Sequence, residues 1–320
     1  MLFIKAGSQL SLQYHEHKDE AFLVQSGQLE LVLGSGAARG LAHIGVIEWL
    51  DEHGYKIESI SGASMGALVG GIYAAGKLEA YKQWACALEK ADVVRFLDLA
   101  FSSEGLFKGG RIMDTLRNMV GDRNIEDLPM AYTAVATDLE RQREVWLTKG
   151  SLFDAIRASI AVPTIFTPQP YRGMKLLDGG LLNPVPIAPT FKDMTEMTIA
   201  VNLNAARADH VRNEQEQQKR PRPATDDASG YHEKVIQFLD NLQKTFSERP
   251  KSDLGLFELL SSSFETMQNA IANMKLATFT PEVVIQIPRH SCKAYEFYRA
   301  EEMAALGYRY TAEAMERFHD

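Results

Sequence analysis

Between Gln28 and about Leu203 the sequence alternates strand-like and helix-like runs, and this alternation constrains the fold more than any other feature. The run "QLELVLG" is typical of a strand, and "ARGLAHIGVIEWLDEHG", whose apolar residues recur every third position, is typical of a helix. The pattern continues with "YKIESIS", "MGALVGGIYAAG", "YTAVATDL", "REVWLT", "LFDAIRASI", "MKLLD" and "MTIAVNL". Strands that alternate with helices predict a largely parallel sheet that helices cover on both faces.

The second strand runs into a short glycine-flanked turn around Ser64. The run Gly62-Ala63-Ser64-Met65-Gly66 has the G-x-S-x-G pattern between a strand and a helix, which is typical of a nucleophile elbow. Gly62 and Gly66 permit a tight turn that exposes the Ser64 hydroxyl at the start of the helix. Amides and the dipole at a helix N-terminus favour a developing oxyanion, so Ser64 is a candidate nucleophile.

The first strand runs into a glycine-rich turn, "GSGAARG", at residues 34–40. One interpretation is a phosphate loop of the dinucleotide type, but Arg39 occupies its last glycine position and no carboxylate ends the second strand. Another is an oxyanion hole built from backbone amides, since adjacent parallel strands would bring this turn beside Ser64. A turn needed only for close packing is the third interpretation.

A third strand end, in "KLLDGGLLNPVP", carries Asp178 before two glycines. An aspartate at such a position can simply cap the turn. A serine hydroxyl needs a base within hydrogen-bonding reach, and a carboxylate can serve. Beside an elbow and an oxyanion loop we therefore favour Asp178 as the base.

Taken in order, "LVLGSGAARGLAHIGVIEWL", "SGASMG", "VATDL", "IRASIAVPTIFTPQ" and "LLDGGLLNPVPI" resemble the patatin-like phospholipase family, in particular its bacterial branch with a G-S-G-A-A-R-G loop. The resemblance implies a three-layer α/β/α fold with a mostly parallel central sheet, plus C-terminal helices. It also implies a catalytic dyad of Ser64 and Asp178, with no metal or organic cofactor. The oxyanion loop carried over from the family comprises Gly36, Ala37, Ala38, Arg39 and Gly40.

The loop departs from the family pattern at two positions. Many members have glycine where this chain has Ser35 and Ala37. If the backbone there needs a positive φ, a Cβ costs on the order of 1 kcal/mol, so we expect a local difference in the loop. We interpret the variant as a subtype that keeps its activity.

A Ser–Asp–His triad is an alternative to the dyad, because four histidines follow Asp178 in the order of an ordinary α/β-hydrolase. Of these, His290 is the only one near a predicted strand end. We expect His43, in the first helix, to be a packing or hydrogen-bonded residue and not a base. The histidines that follow Asp178 are His210, His232, His290 and His319.

Residues 1–27 are predicted to form an arm or hairpin, followed by one hydrolase domain over 28–320. His15, His17 and Glu20 have the H-x-H-x-x-E spacing of a first cupin motif, and such groups could bind a divalent metal. A cupin barrel needs about eight strands, so we favour a fragment without a metal site. The domain is expected to contain a mobile polar linker at about 205–230 and a helical region at 231–276.

The segment "VVRFLDLAFSSEGLFKGG" at residues 93–110 is rich in aromatic and aliphatic side chains. Such side chains usually belong to the core. Ester-binding pockets are also largely apolar, so the segment could instead form an acyl-binding wall or lid above Ser64. The helices after Gly230 could do the same or mediate dimer contacts.

Composition narrows the class of protein further. A net charge of -8 argues against a nucleic-acid partner. Two cysteines, Cys86 and Cys292, match neither a disulfide framework nor a zinc site, which favours a cytoplasmic location. No signal peptide or run of about 18 apolar residues is present, so membrane contact would be peripheral.

These observations predict a serine esterase of the phospholipase A type that acts on acyl esters or phospholipids through an acyl-enzyme. The protein could also form a homo-oligomer. The alternative from another class is a catalytically silent regulatory or scaffold protein on the same fold. The lipid class, acyl chain length, positional preference and oligomeric state are not encoded in any recognisable motif.

Overall fold

The computed structural model describes residues 10–12, 23–25, 28–96, 109–163, 165–191, 193, 195–205 and 256–320. Several predictions concern other parts of the chain and lie outside these residues. They are the metal-like motif of His15, His17 and Glu20, His210 and His232, nearly all of the linker, the helix near 231–247, and most of the apolar segment at 93–110.

Two short strands, β1 (Leu10–Leu12) and β2 (Leu23–Gln25), pair antiparallel as a separate sheet. The other described strands form one sheet in the order β10-β9-β3-β4-β5-β8-β7, with β6 paired to β5. These strands are β3 (Gln28–Leu33), β4 (Lys56–Ala63), β5 (Ala131–Asp138), β6 (Arg143–Leu147), β7 (Gln169–Tyr171), β8 (Met174–Asp178), β9 (Met197–Ala205) and β10 (Val283–Pro288).

The five strands from β10 to β5 are parallel, whereas β6, β7 and β8 form antiparallel pairs at one side of the sheet. The expected pairing of "YTAVATDL" with "REVWLT" is present as the β5–β6 pair. The sheet is therefore mostly parallel, as expected, with an antiparallel extension that carries Asp178.

Helices cover both faces of the sheet. Alternate residues of β3 point to opposite sides: Leu31 joins the large core beneath α1 and α2, and Val32 joins a smaller core with Ala272 of α7. The described helices are α1 (Ala42–Glu52), α2 (Met65–Ala74), α3 (Leu78–Cys86), α4 (Lys90–Phe96), α5 (Gly110–Val120), α6 (Leu152–Ser159), α7 (Leu256–Phe279) and α8 (Ala300–His319).

This arrangement confirms the predicted three-layer α/β/α architecture with C-terminal helices. The single helix expected from Ala38 to Gly54 instead begins as a 3₁₀ turn at Ala37–Leu41 and continues as α1. Among the helices described, none is both long and apolar enough to cross a lipid bilayer.

Strand register brings the candidate residues to one edge of the sheet. β3 and β4 are parallel neighbours, so the glycine loop after Leu33 and the turn at Ser64 lie side by side. Ala63 pairs with Val135 of β5, and Asp178 pairs with Ala136 on the other side of the same strand. One strand therefore separates the two candidate catalytic residues.

Candidate active site

Ser64 stands in a sharp turn between β4 and α2. Its backbone has φ 56° and ψ −124°, a conformation that residues with a side chain rarely adopt and that is concentrated at functional sites. A Cβ at Gly62 would overlap the backbone of Gly66, and a Cβ at Gly66 would overlap the carbonyl group of Leu33. Both glycines are thus required for the close approach of this turn to its neighbours.

Ser64 is buried, at 4% exposure, and its side chain makes no capping hydrogen bond to the first turn of α2. The first amides of a helix have no partner within the helix itself. The geometry is therefore that of a nucleophile elbow, with a hydroxyl at a helix N-terminus.

Asp178 is the second buried member of the site. Its Oδ1 accepts a hydrogen bond from the Gly180 amide at 2.7 Å, and the Thr137 hydroxyl donates to its main-chain carbonyl at 3.0 Å. Burial raises the pKa of Asp178 to about 7, against contacts with the Ser64 hydroxyl and the Gly180 amide that lower the pKa.

The Ser64 hydroxyl lies beside the Asp178 carboxylate. It stabilises the carboxylate enough to lower its pKa, yet Asp178 Oδ2 has no hydrogen bond of standard geometry with the described residues. Oδ2 is thus an open acceptor beside the serine. A buried carboxylate oxygen without a donor is suited to receive a proton.

The glycine loop after β3 supplies backbone amides next to Ser64. Gly36 is extended, with φ 177°, and Ala37 is left-handed, with φ 47°. Ala37, one of the two positions where many family members have glycine, thus has the positive φ, which costs an alanine on the order of 1 kcal/mol.

Hydrogen bonds within the fold divide the loop amides into two groups. Those of Ala38 and Arg39 donate to the carbonyls of Ala294, at 3.2 Å, and Gly36, at 3.1 Å. No hydrogen bond to a described residue engages the amides of Gly36 and Ala37. The amides of Gly36 and Ala37 are therefore the candidate donors for an oxyanion hole.

Arg39 anchors this loop. Its side chain is 6% exposed and donates to the Arg289 carbonyl at 2.8 Å and to Asn204 Oδ1 at 3.2 Å, and it pairs with Glu265 of α7 at 3.3 Å. The neighbouring Gly40 packs so closely on Met65 that a Cβ would overlap its side chain. The loop and the elbow are consequently in direct contact.

His43 supports the loop from below. It is fully buried, and its Nε2 donates to the Gly34 carbonyl at 2.8 Å. Burial lowers the pKa of His43 to about 4, so the imidazole is neutral near pH 7. This agrees with the expectation that His43 is a hydrogen-bonded residue and not a base.

Histidine does not contribute to the environment of Asp178 among the described residues. The interactions that change the pKa of Asp178 come from burial, Ser64 and Gly180. His290 is exposed in the turn after β10, and His319 hydrogen-bonds with the Tyr55 hydroxyl at 3.0 Å. The geometry therefore favours the dyad over the triad.

Sequence reasoning did not identify two polar residues at this site. Gln268 of α7 is 7% exposed and its Nε2 donates to Ser35 Oγ at 3.4 Å, so α7 covers the glycine loop. Ser159, at the end of α6, hydrogen-bonds with the main chain of Ser64. Ser159 lies in the "IRASIAVP" block of the family resemblance, which was the available signal, whereas nothing in the sequence distinguishes Gln268.

A cavity of about 530 Å³ lies at the opposite edge of the sheet and not at Ser64. Its lining includes Glu58, Glu126 and Asp193, which do not suit an acyl chain. The groups that could act on an ester therefore lie around Ser64 and not in this cavity.

Comparisons with known proteins identify the family of this chain. Residues 31–191 match the family model described as patatin-like phospholipase. An uncharacterised NTE family protein of Mycobacterium tuberculosis is 35% identical over 333 residues, which cover 92% of each chain. The patatin-like phospholipase domain-containing protein 7 of Mus musculus is 31% identical over 192 residues, covering 58% of this chain and 14% of the mouse protein.

The neuropathy target esterase sws of Drosophila persimilis is 34% identical over 163 residues, which cover 49% of this chain and 11% of the fly protein. The crystal structure of VipD from Legionella pneumophila has a TM-score of 0.52 at 13% identity, covering 97% of this chain and 70% of VipD, which shows similarity of fold. The matching family model and the mycobacterial relative establish that this chain belongs to the patatin-like phospholipase family.

Proposed function

We propose that this protein is a serine hydrolase that cleaves the carboxylic ester bonds of phospholipids or related acyl lipids. The observation that carries the proposal is the pairing of Ser64, held at φ 56°, with a buried Asp178 whose pKa is about 7. Family membership supports lipid ester hydrolysis, as do the names of the mouse and fly relatives.

The first half of the proposed reaction forms an acyl-enzyme. Asp178 takes the proton of the Ser64 hydroxyl while Ser64 Oγ bonds to the ester carbonyl carbon. The amides of Gly36 and Ala37 hold the oxygen that becomes negative in the tetrahedral intermediate. When the carbon–oxygen ester bond breaks, Asp178 returns the proton to the departing alkoxide, and the alcohol product leaves.

The second half releases the acid. Asp178 takes a proton from a water molecule, whose oxygen attacks the acyl carbon of the Ser64 ester. The intermediate collapses, the proton passes from Asp178 to Ser64 Oγ, and the carboxylic acid departs. The proposed steps use these side chains, the loop amides and water.

A cytoplasmic location with peripheral membrane contact, and a homo-oligomeric state, remain predictions.

The test is hydrolysis of a short-chain ester and of a panel of phospholipids by the wild type and by Ser64→Ala. We expect Ser64→Ala to lose hydrolysis by about a thousandfold or more, and the wild type alone to react with a fluorophosphonate probe. Ser61→Ala is a matched control, because Ser61 is a buried serine of β4, the strand that leads into the Ser64 turn, and its hydroxyl has no hydrogen-bond partner among the described residues. Full activity of Ser64→Ala would contradict the proposal.

The competing scaffold function predicts that neither protein hydrolyses esters or reacts with the probe. The competing triad predicts that His290→Ala loses activity to the same extent as Asp178→Ala. We expect His290→Ala to retain wild-type kcat and KM, which would leave the dyad as the catalytic unit.

A further inference from the structure

Ser159 connects the main chain of Ser64 to strand β5 through two hydrogen bonds. The residue is fully buried at the C-terminal end of α6. Its Oγ accepts a hydrogen bond from the Ser64 amide at 2.9 Å and donates one to the Val135 carbonyl at 2.6 Å. Ser159 thus ties the elbow to β5, the strand that separates Ser64 from Asp178.

The same end of α6 also holds the other member of the dyad. Two residues after Ser159, the Ala161 carbonyl accepts a hydrogen bond from the Asp178 amide at 2.9 Å. Residues 159–161 therefore contact the main chains of both Ser64 and Asp178. A shift of this short segment would therefore displace both residues.

The conformation of Ser64 explains why such a tie is needed. A positive φ at a residue with a side chain persists only where the surroundings enforce it. A hydroxyl is the small side-chain group that can accept from one backbone group and donate to another. Without it, the buried Ser64 amide and the Val135 carbonyl would lose these partners.

We infer that Ser159 is a positioning residue, whose hydroxyl holds the Ser64 main chain so that the Ser64 hydroxyl stays directed at Asp178. The inference rests on the proposed dyad. It assigns Ser159 no contact with substrate, so the chemical step depends on it while the affinity for substrate does not.

The experiment compares Ser159→Ala, Ser159→Thr and Ser61→Ala with the wild type, after the folded fraction of each has been measured by circular dichroism. We expect Ser159→Ala to lower kcat by about 10- to 100-fold with KM within about twofold, because a small misplacement of a nucleophile costs rate and not binding. Ser159→Thr keeps the hydroxyl and should recover part of the loss. Ser61→Ala, which removes a buried hydroxyl with no hydrogen-bond partner in the described part of the chain, should match the wild type.

The pH dependence of kcat/KM separates a positioning role from a merely structural one, because loss of folded protein alone would not shift it. The contact with Ser64 lowers the pKa of Asp178, so loosening it should shift the acidic limb of kcat/KM to higher pH in Ser159→Ala. A loss of activity that equals the loss of folded protein, with an unshifted profile, would overturn the inference.

The remaining outcomes also separate the two proposals. If Ser64→Ala keeps its hydrolysis, the dyad and the role of Ser159 both fail. If Ser64→Ala is inactive while Ser159→Ala has the kcat of Ser61→Ala, the role of Ser159 alone fails. Where Ser159→Ala does not fold, Ser159→Cys decides, because its thiol fills the site but is a weak acceptor. If Ser159 positions Ser64, the kcat of Ser159→Cys per folded molecule is lower than that of the wild type. If the two values are equal, the inference fails.

Discussion

At the scale of single residues, the burial of Asp178 bears on the pH dependence of the proposed reaction. A carboxyl group accepts a proton only when it is ionised, and burial raises the pKa of Asp178 to about 7. We therefore expect kcat/KM to fall about tenfold for each unit of pH below about 7 and to level off above it. A profile that stays flat down to about pH 5 would show that Asp178 ionises as an exposed carboxylate.

The same raised pKa means that ionised Asp178 destabilises the folded protein at alkaline pH. The folded protein retains a proton between about pH 4 and 7 that the unfolded chain has released, so the free energy of unfolding decreases as pH rises through that range. Asp178→Asn carries no charge at any pH and can still accept from the Gly180 amide.

We expect Asp178→Asn to be inactive yet more stable than the wild type by a few kcal/mol at about pH 8, and equally stable near pH 4. Urea unfolding at the two pH values measures this difference. Equal stability at both pH values would mean that the carboxylate is not desolvated.

At the scale of elements, the glycine loop depends on Arg39 more than on its ion-pair partner. Arg39 is buried and donates to Asn204 and to the Arg289 carbonyl, whereas the Glu265 side chain is 46% exposed. Removing Arg39 leaves the buried Asn204 acceptor and the part-buried Arg289 carbonyl without their donor, but removing the charge of Glu265 alters a partly solvated contact.

We expect Arg39→Met to lower the free energy of unfolding by about 2–4 kcal/mol and to lower kcat, since the amides of Gly36 and Ala37 move with the loop. Glu265→Gln should cost less than about 1 kcal/mol. Chemical denaturation and steady-state kinetics of the two variants test this order. Equal losses would show that the ion pair, and not the backbone contacts, holds the loop.

Local pattern was enough to predict the elements that carry Ser64 and Asp178, because an apolar strand, a glycine turn and a helix leave a signal within a few residues. It also indicated that Ala37 could need a positive φ. Gln268 and Ser159 could not be assigned, because a polar residue in a helix has the same local pattern whether it meets solvent or another element. Their roles depend on contacts with Ser35 and Ser64 that are distant in sequence.

At the scale of the whole molecule, the chain beyond the span of the family model completes the core. The matched span ends at residue 191, yet β9 lies between β3 and β10 in the sheet. α8 packs on α1 so closely that a Cβ at Gly307 would overlap the Ala42 carbonyl, and a Cβ at Gly45 would overlap that of Ala304. Two backbones meet there without side chains between them.

This contact reverses the usual effect of replacing a helical glycine. Alanine is favoured over glycine in a helix by about 1 kcal/mol, so Gly307→Ala would stabilise an exposed helix. Here we expect it to lower the free energy of unfolding by about 2 kcal/mol or more, because the added methyl group pushes α8 away from α1. Ala305→Gly, on the exposed side of α8, is the control and should cost about 1 kcal/mol through propensity alone.

The displacement should also reach the site. Ala42 begins α1 directly after the 3₁₀ turn that contains Arg39 and Gly40, so a shift of α1 moves the loop that presents the Gly36 and Ala37 amides. We therefore expect kcat to fall in Gly307→Ala and to be unchanged in Ala305→Gly, measured under conditions where both are folded. A Gly307→Ala variant that is more stable than the wild type and fully active would show that the two helices do not meet backbone to backbone.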